Sequence, residues 1–287
     1  MTHQKSGGWV DEECLNVLSS DSEIDSSSSS KETDDEDYED DDSGSVVLSC
    51  TISTNPLLKS GMKVESLPDT GCDISTISED LARNIGVRIL QTRIKLYGAT
   101  GTKVAVVGRA VIFVKVDGVS VKRLRVLVEK APNEAFTISY RDLITLKVIA
   151  SNFPNQVTSP NAPLLPHPYN NPRTTPLLHC TVTVKKTEVD VYAVPDSGCC
   201  GGTIISCDFV KRAGIPISPT TSMRRAASNT NIVVAGKASI SLKIKGQSKV
   251  ICRNVLVTNI TDDILLGWND LISLGVLKSN FPTPTPE

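Results

Sequence analysis

The amino-acid sequence predicts a mostly β protein made of two tandem units with short helices, preceded by an acidic tail. Three observations predict this: a repeat at a fixed offset, strand-like patterning that fills each repeat, and abrupt changes of composition before and between the repeats. The repeat is plainest in YRDLITLKVIASNFP (140–154) and WNDLISLGVLKSNFP (268–282), which share nine identities in 15 positions at an offset of 128. The same offset aligns SEDLARNIGVRI from Ser78 with SCDFVKRAGIPI from Ser206, and VVGRAVIFVKVDG from Val106 with VAGKASISLKIKG from Val234.

The tail occupies residues 1–45. Its first 43 residues hold 15 Asp and Glu against Lys5 and Lys31, about −13, whereas the rest of the chain carries about +11 and the whole only −2. From Ser19 to Ser43 almost every residue is Ser, Asp, Glu or Thr. Such a run cannot bury enough apolar surface to offset the entropy of ordering, so disorder is expected. It reads as a solvated spacer, with Ser22 and Thr33 in surroundings that an acid-directed kinase uses. The opening residues MTHQKSGGWVDEEC lack the apolar core of a secretory signal, and no run reaches the roughly 18 apolar residues that span a bilayer. These features predict an intracellular chain, cytoplasmic or nuclear, with reduced thiols and no membrane partner.

The first unit covers residues 46–154 and the second 177–287. Alternating, β-branched stretches such as VVLSCTIST, AVIFVKV and LRVLVE in the first, and LHCTVTV, VDVYAV, SISLKIK and VLVTNI in the second, predict strands. Ser78 and Ser206 are placed to cap short helices, with Asp80 or Asp208 in the first turn and Gly86 or Gly214 as the stop. A second short helix is expected over 140–146 and 268–274. Between the units, residues 155–176 form a linker in which Pro160, Pro163, Pro166, Pro168, Pro172 and Pro176 favour an extended chain of about 3 Å per residue, enough to cross a small domain.

The eight cysteines include no CxxC pair, and the three histidines (His3, His167, His179) read as tail or loop residues, so no metal site is expected. Nucleic-acid binding by the basic body is not expected either: 4% aromatic residues offer few stacking platforms.

Chemistry concentrates in one repeated motif. LPDTGCDIST carries Asp69, Thr70 and Gly71, and VPDSGCCGGT carries Asp196, Ser197 and Gly198, each just after a strand and just before another apolar stretch. A single Asp-hydroxyl-Gly is often only a turn. Two copies at matched places in a duplicated unit point to a pair of acids brought together.

On these residues the chain resembles the retropepsins, the aspartic proteases of retroviruses and long-terminal-repeat retrotransposons. Further matching features are a flap hairpin in YGATGT (Tyr97, Gly98, Ala99, Thr100, Gly101 and Thr102) and an apolar pair with Gly leading into a helix, ILLGWNDL (264–271). The resemblance covers residues 46–282, and LGVLKSNFP looks like the end of protease domains in long-terminal-repeat elements. It implies two β-barrel units in a pepsin-like pseudodimer. It also implies an endopeptidase whose water is activated between Asp69 and Asp196 without metal or other cofactor, acting on polypeptides such as its own polyprotein. Thr70 and Ser197 would lock the two loops together, and Gly71 and Gly198 would let the backbones approach. Both acids lie in one chain, so one chain suffices, while self-association remains open.

The departures are local. Cys72 and Cys199 replace a small residue and read as packing, not as nucleophiles. The second loop is one residue longer through Cys200, Gly201 and Gly202, which threatens the position of Asp196. The second flap, RRAASNTN (224–231), has no glycine, and Ser139 stands where the second unit has Gly267. The alternative reading is a domesticated, catalytically inactive module for binding or dimerisation.

Overall fold

The computed structural model describes residues 46–131, 135–154, 175–199, 201–222, 224–225 and 231–284. The expected tail and all but the last two residues of the expected linker lie outside them. The first unit runs β1 (Leu48–Ser53), β2 (Met62–Asp69), β3 (Thr76–Ser78), α1 (Glu79–Asn84), β4 (Leu96–Tyr97), β5 (Lys103–Val104), β6 (Val106–Lys115), β7 (Lys122–Glu129), β8 (Phe136–Ser139) and α2 (Tyr140–Thr145). The second repeats it as β9 (Leu178–Val184), β10 (Thr187–Pro195), β11 (Ile204–Ser206), α3 (Cys207–Ala213), β12 (Arg224–Arg225), β13 (Asn231–Ile232), β14 (Val234–Ile244), β15 (Val250–Thr258), β16 (Ile264–Leu266) and α4 (Trp268–Ser273).

Six strands of each unit close into a barrel. The orders are β1-β2-β8-β3-β7-β6 and β10-β16-β11-β15-β14-β9, the same cycle once the second set is matched to the first. Period-2 alternation explains the closure: along β6, Gly108, Ala110, Ile112 and Val114 point inward while their neighbours stay more exposed. Each barrel core is filled by strand residues, Ile52, Ile77, Val114 and Ile138 in the first and Leu178, Val182, Ile205 and Val257 in the second, joined by Leu143 of α2 and Leu271 of α4. At about 1.5–3 kcal/mol per buried aliphatic side chain this is the main stabilising term. Buried apolar residues of both barrels belong to one contiguous cluster, so the two units pack as a single body. Even a bulge recurs, between Val106 and Gly108 and between Val234 and Gly236.

The helices follow their sequence signals. Ser78 Oγ accepts from Leu81 N at 3.2 Å and Ser206 Oγ from Phe209 N at 3.0 Å. α3 ends on Gly214 at φ 62, whereas α1 is capped by Ile85 and Gly86 takes the left-handed conformation one residue later. α2 and α4 stop at Leu146 and Leu274. Among the described residues no helix is long and apolar enough to cross a membrane. One expectation is corrected: His179 is not in a loop but on β9, stacked on Tyr192 at 4.7 Å, because its position faces the neighbouring strand.

Candidate active site

The two Asp-hydroxyl-Gly motifs meet. Asp69 ends β2 and Asp196 follows β10, at equivalent corners of the two barrels. Thr70 Oγ1 donates to Pro195 O at 2.8 Å and accepts from Ser197 N at 2.9 Å. Ser197 Oγ donates to Pro68 O at 2.6 Å and accepts from Thr70 N at 3.0 Å. Each hydroxyl thus uses its donor and an acceptor on the other unit's backbone, and both residues are fully buried.

This lock sets the acids face to face. A Cβ placed on Gly71 would lie 2.8 Å from Asp196 Cγ, and one on Gly198 2.8 Å from Asp69 Cγ, so each glycine supports the opposite carboxyl and only a bare Cα fits. Gly71 N donates to Asp69 Oδ1 at 2.8 Å and Cys199 N to Asp196 Oδ1 at 3.1 Å. The carboxyls face each other across these glycines, and two acids held so close cannot both ionise cheaply, which favours a single proton shared between them. Burial pushes Asp69 above the usual carboxyl range, eased by donors from Gly71, Asp196 and Cys72. Asp196 is pushed well above it, first by burial and then by the charge of Asp69 and the hydrogen bond between the two. Both residues are half-buried.

The extra residue of the second loop does not displace Asp196. The expectation that it threatens this acid is corrected, because the loop bulges towards Gly267 instead: a Cβ there would lie 2.7 Å from Gly202 C and 2.9 Å from Cys199 O. The first unit has the shorter loop and accommodates Ser139, whose N–H donates to Ser75 Oγ at 2.9 Å. A matched support lies behind each loop. Ser75 Oγ donates to Asp142 Oδ2 at 2.5 Å; Thr203 Oγ1 donates to Asp270 Oδ2 at 2.5 Å, and Arg253 Nε donates to Asp270 Oδ1 at 2.6 Å.

Cys72 Sγ donates to Ile74 O and Cys199 Sγ to Gly202 O, both at 3.0 Å. Burial, followed by the charge of Asp69, pushes the Cys72 thiol well above its ordinary value, opposite to what a nucleophile needs. Among the described residues no group of three His, Cys, Asp or Glu is arranged to hold a metal ion.

Tyr97, Gly98, Ala99, Thr100 and Gly101 form the expected hairpin between β4 and β5, with Gly98 N donating to Thr102 O at 2.8 Å and Gly101 at φ 74. Its tip crosses to the second unit, where Thr261 N and Thr261 Oγ1 each donate to Ala99 O at 3.0 Å. The base of the second flap is the β12–β13 pair, and its tip lies outside the described residues. A groove of about 780 Å³ near the first flap, lined in part by Arg93, Lys95 and Arg109, includes neither acid.

Residues 57–139 match a family model described as aspartyl protease. The match spans β2 to β8 and includes Asp69, Thr70 and Gly71. Among solved structures, the EIAV protease complexed with the inhibitor HBY-793 is similar over 37% of this chain and 89% of its own, at 19% identity and a TM-score of 0.28. Among curated proteins no match is found.

Motif reading located the acids, hydroxyls and glycines but missed Asp142, Asp270 and Thr261. The two aspartates had a signal, being identical in the repeated DLI segment. Thr261 had none, since its partner lies 162 residues away.

Proposed function

We propose that the chain is an aspartic endopeptidase in which Asp69 and Asp196 share one proton. The carboxylate removes a proton from a water, the water attacks a peptide carbonyl, and the protonated partner stabilises the oxyanion before the roles exchange as the amine leaves. Two carboxyls sharing one proton are the known working arrangement of aspartic proteases in general. The observation that carries the reading is the reciprocal Thr70 and Ser197 lock, which seats each of two acids of one chain against the glycine that follows the other. The aspartyl protease match over 57–139 supports it. The substrate is a polypeptide, with a retroelement polyprotein the class suggested by the LGVLKSNFP resemblance, and the site of action is the cell interior.

The test is cleavage of a peptide library by the full chain. Asp69→Asn and Asp196→Asn should each lower turnover by about 10³-fold or more, since losing either acid leaves no general base and acid pair. Wild-type turnover in either variant would leave the two-acid mechanism without support, and absence of cleavage by the wild-type chain would favour the binding-module alternative.

A further inference from the structure

The sheet face that carries each acid continues across the neighbouring strands, and the positions along it are equivalent in the two barrels. In the second barrel, Val194 precedes Asp196 by two residues on β10 and so shares its face; the ladder continues Val194↔Leu265, Leu265↔Ile204 and Ile204↔Leu256. These four residues, with Ile260, form an apolar cluster separate from the barrel cores, with Cys199 of the acid-bearing loop and Ala99 of the flap tip packed against it. In the first barrel the same ladder reads Leu67↔Thr137, Thr137↔Thr76 and Thr76↔Leu127. Isoleucine and leucine in one half are thus threonines in the other.

A carboxylate completes the contrast. Two residues beyond Leu127 on the same face stands Glu129, whose Oε1 accepts from Thr76 Oγ1 at 2.8 Å. Its register partner is Ser78, as Ser206 is for Thr258. The second barrel therefore places a fully buried Thr258 where the first has a half-buried acid.

We infer that the cleft is chemically polar along its length: the second barrel takes an apolar substrate side chain at Val194, Ile204, Leu256 and Leu265, and the first takes a basic one at Thr76, Thr137 and Glu129. This rests on the protease reading and adds the substrate class to it, a peptide with an apolar residue on one side of the scissile bond and Lys or Arg on the other. Ala99 of the flap tip packs against the apolar half, and Thr261 holds its carbonyl there. A basic side chain in the first half donates a charge-assisted hydrogen bond to Glu129, whereas a leucine there leaves the carboxylate desolvated and without a charged partner.

The test uses the full chain and four peptides with a reduced, uncleavable central bond, flanked by Leu/Leu, Leu/Lys, Lys/Leu or Lys/Lys, with binding measured by calorimetry. One mixed peptide should bind about tenfold tighter than Leu/Leu. Glu129→Gln keeps the acceptor for Thr76 and should erase that gap without weakening Leu/Leu. Leu/Leu binding as tightly as both mixed peptides, a gap that survives Glu129→Gln, or no binding by any peptide would overturn the inference. Cleavage of the unreduced peptides separates the two readings. Asymmetric binding without cleavage removes the protease and leaves the asymmetric cleft, while cleavage with equal preference on both sides does the reverse.

Discussion

At the scale of single residues, four hydrogen bonds decide whether two distant motifs become one site. Thr70 Oγ1 is surrounded by Pro195 O and Ser197 N in a fully buried setting. Thr70→Val keeps the shape but orphans both backbone groups, at about 1–3 kcal/mol each. Chemical denaturation should show a loss of that order, with Thr70→Ser restoring most of it; a loss below about 0.5 kcal/mol would mean that the lock contributes nothing beyond geometry. The motif itself was legible because Asp, a hydroxyl and Gly each have a local reason to stand together after a strand. What the hydroxyls grip was not legible, since Pro68 and Pro195 accept bonds across more than a hundred residues. The flap tip is a similar case: YGATGT announces a turn, but nothing near Ala99 announces Thr261. Asp73, which accepts from Thr175 Oγ1 at 2.6 Å, ties the approach to the second barrel onto the first loop in an equally unreadable way.

At the scale of elements, the unequal loops and the Ser139/Gly267 difference are one feature. The sequence displayed both departures separately, and only the packing of Gly202 and Cys199 against the start of α4 joins them. Gly267→Ser forces a side chain against backbone and should cost about 1–3 kcal/mol. Ser139→Gly opens space and should cost about 1 kcal/mol at most. Urea midpoints of the two variants check this, and equal costs would show that the longer loop yields freely. The short helices were legible to within a residue or two because the Ser caps and glycine stops act locally, whereas alternation located the strands but not their ends: β6 begins at Val106 and β14 at Val234, ahead of AVIFVKV and SISLKIK. Barrel closure was not legible: β2 beside β8, and β3 between β7 and β8, are pairings between segments far apart in sequence, and it was the family resemblance that implied them.

For the whole molecule, the buried acids make stability depend on pH in an unusual direction for carboxyls. Both are raised above the ordinary range, so between the ordinary carboxyl pKa and their folded values the folded chain holds more protons than the unfolded one. Stability then falls as pH rises through that window and is greatest below it, as far as this pair is concerned. Asp190, held below the usual range by its hydrogen bond to Lys245, acts in the opposite sense but is largely exposed and screened. The difference between wild type and Asp196→Asn isolates the pair. Melting temperatures from about pH 4 to pH 7 should fall more for wild type than for the variant. Parallel curves would mean that the carboxyls titrate as ordinary surface acids.

The reciprocal lock also has a genetic consequence. In an enzyme assembled from two identical chains, an allele lacking one acid still meets its wild-type copy, and subunit mixing sets the phenotype. Here Thr70 and Ser197 of the same polypeptide grip each other, so every molecule carries its own complete pair or none. Two null alleles, Asp69→Asn and Asp196→Asn, should therefore fail to complement when co-expressed, and a dead chain should not poison a living one. Activity recovered from the mixed alleles would reveal units exchanged between chains, with the first barrel of one molecule closing on the second barrel of another.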